Sequence, residues 1–338
     1  MKIVILGAGG VGSVIAGHLA KIGIDVVMIA RAGHCQASSE HGLQLTGLSD
    51  FRIKVPAYTD ASSLDHADVL LIAVKTKDMQ ASLQGVKHLT VSCVASLQNG
   101  VVKNEQMTEV FGADKVLGAT TMIGATLVQD GEVNYSLDGI TFFGERDGSR
   151  SNRVEALVQA FLDSGLNAVA SENISSIEWT KQAIQNPFAP IAAITRLPVH
   201  LVWSSPELAT LAVHMYREVA AVAEALKITL SDHEAWSVFN QKTLRDAPFD
   251  EAVQMLVNAG KQVAESGRTQ IIPSMLQDVL AGKKTEIEET VGHVFKEGIR
   301  LGIAVPYTEF AYRTVQAIED NFSGRLTVPP SQGIKGRE

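Results

Sequence analysis

The sequence predicts an N-terminal α/β domain built on a parallel sheet, followed by an all-α domain. Three observations carry that expectation. The chain opens with "KIVILGAGGVGSVIAGHLAKIG", a strand, a glycine-punctuated turn and a helix. Continuous apolar runs of strand length follow, "ADVLLIAVKTK" and "VSCVASLQNG", as expected of parallel strands buried on both faces. After about Ser171 strand signals nearly vanish and helical patterns take over.

Composition agrees with a two-domain globular protein. The chain has 338 residues, 46% hydrophobic and 20% charged, which is long for a single core. The expected division is a nucleotide-binding domain over 1–171, a helical substrate domain over 172–322 and a flexible tail over 323–338, where Pro and Gly mix with polar residues. A formal net charge of −8 argues against nucleic acid or an anionic membrane as partner. The two cysteines, Cys35 and Cys93, imply no disulfide framework and fit a reducing cytosol. No cluster has metal-ligand spacing, so no metal is expected. The apolar start "MKIVILGAGGVG" is too short and too glycine-rich for a signal peptide, and no apolar run approaches the roughly 20 residues of a membrane span. These features predict a cytoplasmic protein, monomeric or homodimeric, that acts on a small molecule.

Along the chain, "KIVIL", "DVVMIAR", "ADVLLIAVK" and "VSCVAS" read as successive strands. From "KVLGATTMIG" to "ITFFGE", Asp130-Gly131 and Asp138-Gly139 separate short alternating runs, which predicts an antiparallel meander. "SNRVEALVQAFLDSG" predicts a helix and "LNAVASE" a closing strand. Helices are then expected over Ser175 to about Gln185, Pro206–Leu226, Asp232–Arg245, Asp250–Ser266, Ser274–Ala281, Glu286–Leu301 and Tyr307–Phe322. Ser175 with Glu178, Ser274 with Gln277, and Thr285 with Glu288 fit the spacing of a capping box. Pro187 and Pro190 should end the first of these helices.

The opening turn, Gly7, Ala8, Gly9, Gly10, Val11 and Gly12, contains G-x-G-x-x-G between a strand and a helix. In that context the motif predicts a dinucleotide site. Gly7 permits the tight turn, Gly9 admits a pyrophosphate against the backbone, and Gly12 lets helix and strand pack closely. The second strand ends in Arg31, where an acid would otherwise accept from a ribose 2′-hydroxyl. An arginine there matches a 2′-phosphate in charge and shape, so NADPH is expected over NADH. Lys75 and Asn99 end two further strands at the sheet edge where ligands bind.

The most specific stretch is late: "PSMLQDVLAGKKTEIEETVGHVFKEGIRLGIAVP". With the glycine turn, Arg31, Lys75, "QNG" at Gln98–Gly100 and W-x-K at Trp179–Lys181, it resembles the ketopantoate reductase family (2-dehydropantoate 2-reductase), across the chain to about Phe322. The resemblance implies NADPH-dependent reduction of a 2-keto acid, with Lys181 as the catalytic acid and Glu286 as its acidic partner. It implies substrate contacts from Ser274 and Asn99, nicotinamide and substrate contacts from Lys75 and Asn99, and a 2′-phosphate contact from Arg31. The chemistry is consistent with that set: hydride addition to a ketone builds charge on oxygen, which a nearby ammonium stabilises and then protonates.

The chain departs from the family at one place. Family members carry asparagines four and eight residues after the lysine, on one helical face; here those positions hold Gln185 and Ala189. Asn186 lies about 100° away around a regular helix and reaches the cleft only if Pro187 kinks the backbone. Gln185 and Asn186 are therefore the expected substrate-reading amides. The reaction type is better specified than the substrate. Ketopantoate is the first expectation, and a different branched or larger 2-keto acid the second. A non-catalytic NADPH-binding sensor is the alternative from another class.

Overall fold

A computed structural model describes residues 1–236, 239–267 and 272–322; the expected tail over 323–338 lies outside the described residues. The N-terminal half contains β1 (Lys2–Leu6), β2 (Asp25–Ile29), β3 (Leu43–Gly47), β4 (Phe51–Ile53), β5 (Ala57–Tyr58), β6 (His66–Ile72), β7 (Thr90–Ser96), β8 (Val116–Thr121), β9 (Gly124–Gln129), β10 (Glu132–Leu137), β11 (Thr141–Glu145) and β12 (Ala168–Ala170). Between them run α1 (Gly10–Lys21), α2 (Ala32–His41), α3 (Met79–Val86), α4 (Lys103–Phe111) and α5 (Asn152–Asp163).

Eight strands form one sheet in the order β12-β11-β8-β7-β6-β1-β2-β5, parallel except where β11 runs against β8. Alternate residues of β1 enter different cores. Ile3 and Ile5 pack with Val14, Ile15 and Leu19 on the α1 side, while Val4 and Leu6 pack with Met79 and Leu83 on the other. Burial on both faces is what makes these strands continuously apolar in sequence.

The expected meander is divided between two sheets. β8 and β11 pair with each other in the main sheet, while the hairpin β9–β10 leaves it and joins a smaller sheet of order β4-β3-β10-β9. There β10 pairs in parallel with β3, some ninety residues earlier in the chain. Local turn signals identified the hairpin, but such long-range pairing leaves none.

The C-terminal half is helical: α6 (Ile174–Thr195), α7 (Val199–Ser204), α8 (Pro206–Ala225), α9 (Gln241–Asp246), α10 (Phe249–Glu265), α11 (Ser274–Leu280), α12 (Val291–Leu301) and α13 (Pro306–Asp320). Its core is a single apolar cluster around α6, with Ala183, Ile184, Phe188, Ile191 and Ala193 against Val213, Tyr216 and Val219 of α8.

Five expectations need correction here. α6 does not end near Gln185; it runs 22 residues through Pro187 and Pro190. Each proline removes one intrahelical bond, a cost of about 3 kcal/mol, but the helix is buried on most of its surface and packing outweighs that loss. Its N-cap is Asn173, whose side chain accepts from the Ser176 N–H, so Ser175 and Glu178 form no capping box. Ser274 is the first residue of α11 and not its cap, and Glu286–Thr290 form turns that precede α12, which begins only at Val291. Asp232–Arg245 is not one helix but a short 3-10 turn at Glu234–Trp236 and then α9.

Candidate active site

β1, β6, β7 and β8 are mutually parallel, so their C-terminal ends lie along one edge of the sheet. At the end of β1, Gly7 has φ +98°, and an added Cβ would stand 2.5 Å from the Val74 nitrogen beyond β6. Gly12 would meet the Gly7 carbonyl oxygen at 2.5 Å, so helix and strand there are as close as glycine allows. Gly10 would meet the Ala125 carbonyl at 2.5 Å. Gly9 differs: an added Cβ would meet no atom of the described residues within 4 Å. The first rung of α1 runs from the Ser13 N–H to the Gly9 carbonyl, so the N–H groups of Gly10, Val11 and Gly12 precede the helical ladder. The turn, with Ala8 buried beneath it, thus offers free donors and open space at one point, as a pyrophosphate requires.

Arg31 follows β2 and caps the start of α2. Its side chain is exposed and has no hydrogen-bond or ionic partner among the described residues. Lys75 is exposed beyond β6, and its ammonium lies 3.0 Å from Asp278 of α11, linking the two halves.

Beyond β7 and β8 the two halves meet around Lys181. This lysine is in mid-α6 and only 5% exposed. Its Nζ donates to the Thr121 carbonyl at the end of β8, at 2.7 Å, and to the Asn99 Oδ1 at 3.2 Å. The Asn99 Nδ2 in turn donates to Glu286 Oε2 at 3.3 Å, and Glu286 Oε1 accepts from the Thr76 N–H at 3.2 Å. Because lysine only donates and a carboxylate only accepts, these neighbours fix the Asn99 amide orientation. Glu286 therefore reaches Lys181 through Asn99 and not by direct contact. Glu289 accepts from Thr76 Oγ1 at 2.9 Å, and burial raises its carboxyl above the ordinary range.

Burial pushes the Lys181 ammonium down to about 7, with the Lys103 charge acting in the same direction and Glu286 and Glu178 opposing. Desolvation dominates, as for any ammonium withdrawn from water. The result is a cation that holds its proton weakly at neutral pH, at the seam between the two halves.

Around Lys181, Gln185 and Ala189 are half-buried one turn apart in the otherwise buried middle of α6, so both lie on its least buried face. Asn186 is 2% exposed, and its Nδ2 has no hydrogen-bond partner among the described residues. α6 continues unbroken through Pro187, and Asn186 is buried where Gln185 is half-buried, so Asn186 does not join Gln185 on the less buried face. Ser274, at the exposed start of α11, makes no hydrogen bond among the described residues. The structure thus brings Lys181, Asn99 and Glu286 into one chain of contacts, sets Lys75 at the interdomain seam, and keeps Arg31 with the glycine turn. Sequence reading missed Thr76, Lys103 and Glu178. Glu178 sits three residues before Lys181 and Lys103 four after Asn99, and proximity to the candidate residues was the only available signal.

Family models agree with this architecture. "Ketopantoate reductase PanE/ApbA" matches residues 3–148, and "Ketopantoate reductase PanE/ApbA C terminal" matches 173–319. The chain belongs to the ketopantoate reductase family. It is an oxidoreductase of the class acting on CH–OH groups, which sets aside the non-catalytic sensor. The 2-dehydropantoate 2-reductase of Archaeoglobus fulgidus is 30% identical over 318 residues, covering 94% of this chain and 98% of that protein. A crystal structure of a PanE/ApbA family ketopantoate reductase from Ralstonia eutropha JMP134 superposes with a TM-score of 0.81 at 27% identity, over 96% of this chain and 100% of that one. A ternary structure of D-mandelate dehydrogenase with NADH and anilino(oxo)acetate shares the fold, with a TM-score of 0.81 at 24% identity over 96% of this chain and 100% of that one. Members of the family use a nicotinamide cofactor. Among the described residues no group of His, Cys, Asp and Glu is arranged to hold a metal, and no helix is long and apolar enough to cross a membrane.

Proposed function

We propose that this protein reduces 2-dehydropantoate to pantoate with NADPH, with Lys181 as general acid. The observation that carries the reading is the buried Lys181 ammonium, joined through Asn99 to Glu286 at the edge of the nucleotide-binding sheet. The curated relative from Archaeoglobus fulgidus, named for this reaction and matched along 94% of the chain, supports the substrate.

The glycine turn, Arg31 and Lys75 are the residues that would hold the cofactor. The open space at Gly9, the free N–H groups of Gly10–Gly12 and the unpaired Arg31 guanidinium fit a dinucleotide carrying a 2′-phosphate. NADPH supplies the hydride. The chain's own residues handle the charge and the proton. Of the three N–H donors on Lys181, Thr121 and Asn99 use two, which leaves the third for the keto oxygen. As negative charge builds on that oxygen, the Lys181 ammonium stabilises it and then transfers its proton, leaving a neutral amine that recovers a proton from solvent. Glu286 fixes Asn99, and Asn99 fixes the ammonium, so the donor is held in place before substrate arrives. Gln185, at the open face of α6, is the amide available to the substrate, with Ser274 at the cleft rim; the buried Asn186 acts behind them.

A second reading has one observation in its favour. Ala189 offers no polar group at a half-buried position on the same face as Gln185, which favours a 2-keto acid with a larger or more apolar side chain. One experiment tests both readings: NADPH oxidation over a panel of 2-keto acids that includes 2-dehydropantoate. Turnover of none of them, or unchanged turnover in Lys181→Ala, rejects the mechanism.

A further inference from the structure

Behind Lys181 lies a second ionic group that the reduction chemistry above does not use. Lys103 opens α4 and is 1% exposed; Glu178, one turn before Lys181 on α6, is 4% exposed. They pair at 3.4 Å. The Lys103 ammonium also donates to the Gln98 carbonyl at 2.8 Å and to the Ala119 carbonyl at 2.6 Å. Glu178 further accepts from the Asn104 Nδ2 at 2.7 Å and from the Ala119 N–H at 3.1 Å. The hydrogen-bonded neighbours of Lys103 are acceptors and those of Glu178 are donors, which favours an ionised pair against the burial that lowers the Lys103 ammonium and raises the Glu178 carboxyl.

The placement of these bonds is specific. Lys103 grips the carbonyl of Gln98, the residue just before Asn99, and the carbonyl of Ala119 on β8. Lys181 grips the Asn99 side chain and the carbonyl of Thr121, two residues further along the same strand. Two ammoniums therefore hold the same turn and the same strand end, one behind the other. A buried ion pair is expensive to desolvate and adds little stability over an apolar pair of equal volume, so stability is a poor reason for it.

We propose that Lys103 and Glu178 are positioning residues for the reduction: Lys103 locks the turn that aims Asn99 and puts a second positive charge behind Lys181, and Glu178 keeps Lys103 there. This rests on Lys181 acting as the acid. The charged groups acting on Lys181 are Lys103 from α4, Glu178 from α6 itself and Glu286 from the turns before α12; no other charge from the elements packed on α6 contributes among the described residues. Lys103 disfavours the proton on Lys181, ahead of the opposing effects of Glu286 and Glu178. Removing Lys103 therefore lets Lys181 keep its proton to higher pH.

The test uses the full-length enzyme, NADPH and 2-dehydropantoate, with kcat and the pH profile of kcat/KM measured for Lys103→Met, for Lys103→Met/Glu178→Leu and for Lys181→Ala. The double variant replaces the pair by apolar side chains and is expected to fold even where the single variant, with its stranded carboxylate, does not. In the double variant kcat should fall about tenfold or more, because the Asn99 turn loses its anchor. Its alkaline limb should move up by about half a pH unit to one unit, because the Lys103 charge is gone; Lys103→Met, if folded, should move it further. A double variant with wild-type kcat and an unmoved limb overturns the proposal, as does a loss of kcat with the limb in place, which is what a merely structural pair would show. An active Lys181→Ala defeats this inference together with the function it rests on. An inactive Lys181→Ala beside pair variants of wild-type behaviour defeats this inference alone.

Discussion

Lys181 and Glu286 are 105 positions apart in sequence and are joined by one side chain, the Asn99 amide, which accepts from the ammonium at 3.2 Å and donates to the carboxylate at 3.3 Å. The amide insulates as well as connects. A carboxylate in direct contact would raise the lysine's proton affinity strongly, whereas at one remove it orients the amine and lets burial dominate. Lys181→Ala should lower kcat by about 10²- to 10⁴-fold, the usual span for a general acid. Asn99→Ala should also reduce it, through lost orientation. Steady-state NADPH oxidation checks both.

The proton affinity of Lys181 predicts the pH dependence. The proposed mechanism requires the acid form, so kcat/KM should be level at low pH and fall as pH rises through about 7, approaching tenfold per unit. A profile flat to pH 9 would contradict a proton donor held near 7.

The same lowering makes a stability prediction. In the folded chain the Lys181 value is about 7, against 10.5 for a free lysine, so the unfolded chain binds more protons between those values. The burial penalty is complete below about pH 7 and is relieved as pH rises toward 10.5. Lys181→Met should therefore be more stable than wild type by about 1–3 kcal/mol at pH 6, less than the full shift implies because the Thr121 carbonyl loses its donor. The advantage should vanish near pH 10. Urea unfolding at the two pH values measures the difference.

Gly9 and Gly12 should respond differently to the same methyl group. At Gly9 an added Cβ meets none of the described residues, so Gly9→Ala should change stability by less than about 0.5 kcal/mol while weakening NADPH binding about tenfold or more. At Gly12 the Cβ would lie 2.5 Å from the Gly7 carbonyl, and the same change should cost about 1–3 kcal/mol of stability. Thermal unfolding combined with cofactor titration separates the two.

Arg31→Ala should weaken NADPH by about 10- to 100-fold, the worth of a charge-assisted contact, and NADH by less than about threefold. Equal losses for the two cofactors would refute the assignment of Arg31 to a 2′-phosphate.

Restoring asparagines at the open face of α6, in Gln185→Asn/Ala189→Asn, should raise kcat/KM for 2-dehydropantoate relative to larger apolar 2-keto acids by about tenfold. An unchanged ratio would mean that this face does not read the substrate.

The fold was legible where local rules govern it. Both-sided burial made β1, β6 and β7 continuous apolar runs, and Gly7 and Gly12 had to be glycine for reasons visible in one turn of chain. What escaped was decided at a distance. The parallel pairing of β10 with β3, the survival of α6 through Pro187 and Pro190, and the late start of α12 all depend on packing partners remote in sequence. At the candidate site, Lys181, Asn99 and Glu286 could be named because they fell in motifs. Glu178 fitted a capping-box spacing with Ser175, although the structure buries it against Lys103. Nothing in a single sequence distinguishes a capping glutamate from a buried one when the partner lies 75 positions away.

The contacts that bridge the halves have a consequence for how the chain comes to life. Asn99, Thr76 and Thr121 belong to the half made first, while Lys181 and Glu286 arrive with the half made second. A nascent chain that has emerged only as far as β12 can hold a complete nucleotide turn yet possess no proton donor. On the proposed mechanism, turnover therefore requires both halves together. Two separately expressed pieces, divided between Ala170 and Ile174, should each be inert and regain turnover only on mixing.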